Sequence, residues 1–209
     1  MHDDDASSDA PPPLVARGRL GHEHEAAQPE ADVVFRVVRK APPSPAFTSL
    51  QTRLADVDDL MNAHAAIGGK AGRPRGVEGL NRAAIVMLSS HLEGYVEDLF
   101  REALKAVYAK LDAKPLVSRF NTPRPKDIDN LFAAIGLRKA SQGVSWRGVD
   151  EKAVTDSLIE LIETRHTIAH GRGVAARVPK ETVLRFRRYV EGFARELDER
   201  VWLHVLVTM

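Results

Sequence analysis

The chain has 209 residues, 44% of them hydrophobic, which is enough for one buried core and one domain with additional segments. Its 30 Lys and Arg nearly balance 29 Asp and Glu, so the formal net charge of +1 does not indicate a nucleic-acid partner. The absence of cysteine excludes disulfides, thiolate zinc sites and a cysteine nucleophile, and it fits a cytoplasmic location. No apolar run approaches a membrane span, and the acidic N-terminus does not resemble a secretory signal.

The first 45 residues are expected to lie outside the folded domain. Residues 1–32 contain acidic residues, prolines and serines with few large apolar side chains, which is typical of a disordered tail. The β-branched run at 33–38 could form a lone strand or a docking arm, and the prolines that follow it end any strand. We therefore assign residues 1–45 to a tail and linker, and residues 46–209 to the domain.

Helical periodicity dominates the predicted domain. Four long segments have apolar residues three or four positions apart: 46–67, 80–112, about 150–170, and from Pro179 to about 205. A short helix is expected at 127–135, closed by Gly136. The sequence therefore predicts an all-α fold, an up-down bundle of four main helices plus one short helix.

The segment Arg-His-Thr-Ile-Ala-His-Gly at 165–171 closes the third long helical pattern and carries the strongest functional signal. Arg165 offers a permanently charged fork of donors that suits a phosphate, and His170 can exchange protons near neutral pH. These two residues are five positions apart, about 140° around a regular helix, so one helix would not direct both at one point. Fraying before Gly171, or a second copy across a two-fold axis, would bring them together.

Two other interpretations of this segment compete with catalysis. Basic side chains at a helix C-terminus stabilise the negative end of the helix dipole without any chemical role. His166 and His170 share a helix face and could bind zinc, but Thr167 stands where the metalloprotease motif has glutamate, and no third ligand follows. The residue pattern alone favours the structural role over catalysis and makes a metal site the least favoured of the three.

Two segments of the chain together resemble the HEPN superfamily of all-helical domains. Residues 165–171 are similar to its Arg-x4-6-His signature, and His-Leu-Glu-Gly-Tyr-Val-Glu-Asp-Leu at 91–99 is similar to a prokaryotic HEPN branch called RiboL-PSP. Residues 131–137 and Trp146 also look like that branch, and the resemblance covers about residues 46–206. His166 stands where the family usually has another polar residue, often asparagine, so it is either a third catalytic group or an orienting one.

The resemblance implies a metal-independent endoribonuclease that acts as a homodimer with a composite site and uses no cofactor. Arg165 would hold the scissile phosphate, and His170 would act as general base on the ribose 2′-hydroxyl or as acid toward the leaving oxygen. The products would be a 2′,3′-cyclic phosphate and a 5′-hydroxyl. A toxin or antiviral defence role, with a cognate antitoxin as partner, also follows from the resemblance. The alternative is a catalytically inactive helical module that binds RNA, a nucleotide or a protein.

Four further residues are candidates for the site. An acid beside Arg165 or His166 could fix the orientation of either, and Glu93 in the long helix is the residue we expect there. An ordinary, partly buried ion pair is the competing interpretation of Glu93. Positive charge is concentrated after the motif, as phosphate binding requires, and the substrate-binding candidates are Arg172, Arg177 and Lys180.

Overall fold

A computed structural model describes residues 43–67, 77–171 and 177–209. The predicted tail up to residue 42, with the strand or arm at 33–38, and Arg172 lie outside the described residues. The described chain forms four long α-helices and two short ones: α1 (Pro45–Ile67), α2 (Val77–Val107), α3 (Lys114–Val117), α4 (Pro125–Phe132), α5 (Glu151–His170) and α6 (Lys180–Thr208). A 3₁₀ turn, Ala133–Ile135, follows α4.

The all-α prediction is confirmed, since the described ranges contain helices and no β-strand. The predicted short helix corresponds to α4 and the 3₁₀ turn, which end at Gly136 in the left-handed conformation (φ 89°). The single turn α3 was not predicted. None of the described helices is both long and apolar enough to cross a membrane.

The second long helix ends five residues earlier than the apolar pattern predicts, at Val107 rather than 112. Tyr108 still donates its backbone N–H to the Leu104 carbonyl, but Leu111 donates to the Tyr108 carbonyl in a tighter turn. The Tyr108 and Leu111 side chains are 43% and 59% exposed, so a further helical turn would gain little burial. Apolar periodicity alone therefore overestimated this helix.

The core is organised around α2, which packs against α1, α5 and α6. The Tyr95 hydroxyl, fully buried in α2, donates a hydrogen bond to the Ala194 carbonyl in α6 over 2.7 Å. Near the other end of the contact, Asn81 donates to the Val178 carbonyl just before α6, also over 2.7 Å. Because both pairs advance in the same direction along the chain, α2 and α6 run parallel.

The helix α1 lies antiparallel to α6 and is bound to it just before its first residue and again near its middle. Ser44 caps α1 by accepting the Phe47 backbone N–H over 3.0 Å, and its own hydroxyl and N–H donate to the buried carboxylate of Asp198. Burial raises the pKa of Asp198, while the hydrogen bonds from Ser44 act in the opposite direction. Farther along, Arg187 binds both carboxylate oxygens of Asp58 at 3.0 and 2.9 Å.

Gly94 leaves room on α2 for the side chain of Arg53 from α1. A Cβ atom at this position would be 2.8 Å from Nη1 of Arg53, whose side chain crosses the glycine. The Arg53 guanidinium then reaches Asp98 in α2, with Nη2 and Oδ2 separated by 2.8 Å. A larger residue at 94 would have to displace this guanidinium, so the glycine serves an interhelical contact.

The segment between α4 and α5 is held against the bundle by polar contacts. The Asp129 carboxylate accepts hydrogen bonds from the Ser141 backbone and hydroxyl at 2.7 and 2.9 Å. Arg200 in α6 donates to the Lys139 and Ala140 carbonyls, both at 3.2 Å. His204 contacts the Ile135 carbonyl at 2.8 Å. These contacts fix the short helical region beside the end of α6.

Trp146, in the same segment, packs on a glycine of α6. Its indole makes an edge contact with Tyr189, with ring centroids 5.8 Å apart. A Cβ atom on Gly192 would lie 2.7 to 2.9 Å from three indole carbons. The indole is rigid and wedged between the segment and the helix, so it cannot move away as a flexible side-chain end could.

We therefore expect Gly192→Ala to lower the free energy of unfolding by about 1–3 kcal/mol, the usual cost of overpacking. Gly79→Ala in α2 is the matched control, because a Cβ atom at this position would meet no neighbouring group within 4 Å. That control should be neutral or stabilising by up to about 1 kcal/mol. Urea denaturation of both variants measures the difference, and equal stabilities would contradict the wedge contact.

Candidate functional site

The motif at 165–171 lies on α5, whose buried face sets the direction of each side chain. Asp150 caps this helix by accepting the Ala153 backbone N–H over 2.7 Å. Val154, Leu158 and Leu161 form its buried stripe toward the core. Arg165 continues this stripe, since it follows Leu161 by four positions and Leu158 by seven. Its side chain is accordingly half-buried, on the face that turns toward the bundle.

The helix remains α-helical through His170 and then ends at Gly171 in the left-handed conformation (φ 57°). Fraying of the last turn, one of the two ways in which Arg165 and His170 could have converged, is therefore absent from the described helix. The angular separation of about 140° between these positions persists. Arg165 is half-buried and His170 is exposed.

His166 and His170 form a stacked pair. Their rings are nearly parallel, with an interplanar angle of 7° and centroids 5.9 Å apart. They border a cleft of ≈ 310 Å³ that we call the histidine cleft, which is lined by Arg124, Glu163, His166, Thr167 and His170. Arg165 is not among these lining residues. The two histidines therefore share one open face, and the arginine of the motif lies on another.

Glu93 lies on α2 within the electrostatic reach of Arg165. Burial and the neighbouring carboxylate of Glu97 raise the pKa of Glu93, and the positive charge of Arg165 lowers it. Glu93 borders a separate cleft of ≈ 450 Å³, shared with Glu97 and Arg101. The acid expected near the motif thus interacts with Arg165 rather than with the histidine cleft.

Arg124 is a residue of the histidine cleft that the sequence did not indicate. It precedes α4, far from the motif in the chain, and its Nη2 contacts Oε1 of Glu163 at 2.6 Å. No spacing relates position 124 to positions 166 and 170, so only the tertiary contact of α4 with α5 reveals it. The adjoining prolines, Pro123 and Pro125, are the only local signal, and they indicate no more than a stiff connection.

A family model described as RiboL-PSP-HEPN matches residues 48–202, from the first turn of α1 into α6. The chain belongs to this HEPN family. No curated protein and no solved structure matches it significantly. The family supports a nuclease or RNA-related role for the chain, and the all-α HEPN fold agrees with the bundle described above.

The remaining described candidates, Arg177 and Lys180, follow the motif in the sequence of this HEPN domain. Arg177 is exposed, and Lys180 is half-buried at the start of α6. Neither residue lines the histidine cleft. Among the described residues, no three His, Asp or Glu side chains are grouped as metal ligands. Phosphate binding by Arg177 and Lys180 stays a prediction.

The electrostatic effect of Arg165 on Glu93 can be tested through the pKa of Glu93. Because the Arg165 charge favours the ionised carboxylate, Arg165→Gln should raise the pKa of Glu93 further, leaving burial and Glu97 unopposed. An NMR titration of side-chain carboxyl carbons measures this pKa. Arg195→Gln is the control, since Arg195 pairs with Glu191 on the exposed side of α6. An unchanged Glu93 pKa in Arg165→Gln would show that the two charges are not neighbours.

Proposed function

We propose that this HEPN domain is a metal-independent endoribonuclease. The observation that carries the proposal is the stacked pair of His166 and His170 on an open cleft, since RNA cleavage by the 2′-hydroxyl needs two proton transfers. Membership of the HEPN family supports an RNA-related substrate. The half-buried Arg165, next to Glu93, supplies a positioned positive charge for phosphate oxygens.

The proposed reaction uses the histidines as base and acid. His170, the exposed member of the pair, removes the proton from the ribose 2′-hydroxyl. The 2′-oxygen forms a bond to phosphorus, the bond from phosphorus to the 5′-oxygen breaks, and His166 returns a proton to the leaving oxygen. Arg165 stabilises the negative charge on the phosphate oxygens, and Glu93 orients Arg165. The products are a 2′,3′-cyclic phosphate and a 5′-hydroxyl.

A homodimer is part of the proposal. In one copy, Arg165 follows the buried stripe of α5 and lies outside the histidine cleft. Two copies related by a two-fold axis would allow Arg165 of one protomer to meet the cleft of the other. The orientation of the motif on its helix thus argues for a site that one chain does not complete.

Purified protein incubated with total RNA in EDTA should cleave it, and Arg165→Ala and His170→Ala should each lower the rate by at least about 100-fold, the scale of a lost proton-transfer or charge-stabilising group. Arg195→Ala and His64→Ala are the controls. Arg195 lies on the exposed side of α6, and His64 occupies the last turn of α1 as His170 does in α5. DNA should resist cleavage because it lacks the 2′-hydroxyl.

Mixing the two inactive variants tests the composite site. If Arg165 and His170 of one site come from different protomers, each mixed dimer retains one intact site. An exchanged mixture should then recover about a quarter of wild-type activity, since half of its dimers are mixed. Light scattering on the same sample gives the oligomeric state. A monomer, or a mixture that stays inactive despite subunit exchange, would contradict the composite site.

A catalytically inactive RNA-binding module is the second candidate. The separation of Arg165 from the histidine cleft within one copy favours it, because a single chain then lacks an assembled site. Tight binding of RNA without cleavage in the EDTA assay, in a protein that is dimeric by scattering, would establish this function in place of the first.

In the cell, we infer a cytoplasmic toxin or antiviral defence effector, controlled by a cognate antitoxin. HEPN family membership supports this inference. Induced expression of the wild type should then arrest growth and degrade cellular RNA, whereas expression of His170→Ala should do neither. Growth arrest by both proteins would point to toxicity through binding and not through cleavage.

A further inference from the structure

The backbone of Arg124 is held by hydrogen bonds through both its carbonyl and its N–H. Its carbonyl accepts the Asp127 and Ile128 backbone N–H groups at 2.9 and 3.0 Å, and its own N–H donates to the Thr122 carbonyl at 2.9 Å. Pro123 and Pro125 on either side restrict the chain further. The long side chain therefore extends from a fixed base into the histidine cleft.

Arg124 forms an ion pair with Glu163 that is open to solvent. Arg124 and Glu163 approach within 2.6 Å, with side chains 47% and 58% exposed. Exposed ion pairs contribute little to stability because water screens them. A phosphate offers the same guanidinium more oxygen acceptors in the geometry that arginine prefers. Exchange of Glu163 for a phosphate is thus inexpensive for the fold.

The charges on the cleft suit this exchange. Arg124 is its one lining residue with a permanent positive charge, and Glu163 is its one acidic lining residue among the described residues. The charges of Arg124 and Glu163 cancel when the two side chains are paired. His166 and His170 line the same cleft as this ion pair. The volume of ≈ 310 Å³ is at the lower end of ligand-pocket sizes, which suits a single nucleotide unit.

We propose that Arg124 binds an RNA phosphate in the histidine cleft and that Glu163 masks Arg124 until RNA displaces it. The RNA ligand rests on the proposed function, but the proposal concerns binding and does not require cleavage. Arg124 is a substrate-binding residue on this account, separate from Arg165, and Glu163 weakens the attraction of the cleft for other anions.

A second ion pair provides a matched control. Glu160 lies three residues before Glu163 on the same helix and contacts Arg185 of α6 at 2.5 Å. Its members are similarly exposed, at 49% and 39%, and neither of them lines the histidine cleft. Substitutions in this pair remove the same kinds of charge, with both glutamates on α5, and do not alter a residue of the proposed phosphate site.

The test is binding of a fluorescein-labelled single-stranded RNA by anisotropy, in EDTA and on the His170→Ala background, so that cleavage does not intervene. Arg124→Ala should weaken binding about tenfold and reduce the slope of log affinity against log salt by about 0.7, the value for one lost phosphate contact with a single strand. Arg124→Lys should recover part of the affinity and part of the salt dependence.

Glu163→Gln should tighten RNA binding about threefold, and this gain should disappear when Arg124 is also alanine. Arg185→Ala and Glu160→Gln should leave binding unchanged.

Different failures have different meanings. If the wild type cleaves RNA but Arg124→Ala binds it like the background protein, the phosphate site is wrong and the ribonuclease proposal stands. If the wild type binds RNA without cleaving it, the ribonuclease proposal fails and the Arg124 comparison still decides this one. A gain from Glu163→Gln that persists without Arg124 would show direct repulsion of RNA and overturn the masking role. If the His170→Ala protein does not bind RNA, the phosphate site is wrong, and cleavage of total RNA by the wild type decides the ribonuclease proposal separately.

Discussion

The burial of α2 on several sides is the constraint on which the other helices depend. Leu88, Leu92 and Leu99 are completely buried, and the helix contacts all three of the other long helices. A helix that is apolar over so wide an arc is stable only when neighbours cover it. Because the Tyr95 hydroxyl is buried with it, α6 must offer it an acceptor, and the second lone pair of the Ala194 carbonyl, inside α6, serves this purpose. Together with the bond from Asn81 to the Val178 carbonyl, this contact places α6 parallel to α2, and α5, which carries the motif, packs against both.

The two arginines near the histidines are held in physically different ways. Arg165 is half-buried, and its charge favours the ionised form of Glu93 in α2, whereas burial and Glu97 favour the neutral acid. Arg124 is exposed, and solvent screening weakens its ion pair with Glu163. Burial limits the solvent around the first charge, whereas the second charge is paired with a carboxylate in contact with solvent.

The sequence was informative wherever the deciding interaction is local. Apolar spacing predicted the four long helices, and Gly136 and Gly171 marked ends that the left-handed backbone confirms. Spacing on one helix also predicted the angular separation of Arg165 from His170. Local patterns could not reveal the partnership of Arg124 with Glu163, since 39 residues separate them and no periodicity connects a loop to a helix. The early end of α2 was missed for a related reason. Whether another part of the chain covers Tyr108 depends on the tertiary structure, and the apolar spacing of α2 does not contain that information.

Three consecutive residues of α2 turn toward three different helices. The Glu93 carboxylate senses Arg165 of α5, the bare α-carbon of Gly94 lies beneath Arg53 of α1, and the Tyr95 hydroxyl meets Ala194 of α6. Successive positions on an α-helix differ by about 100°, so a tripeptide is the shortest stretch that can face all of its neighbours. Residues 93–95, within the segment that resembles the family, therefore interact with each of the other three long helices. Substitutions at these three adjoining positions would therefore disturb three different partners, one in each neighbouring long helix.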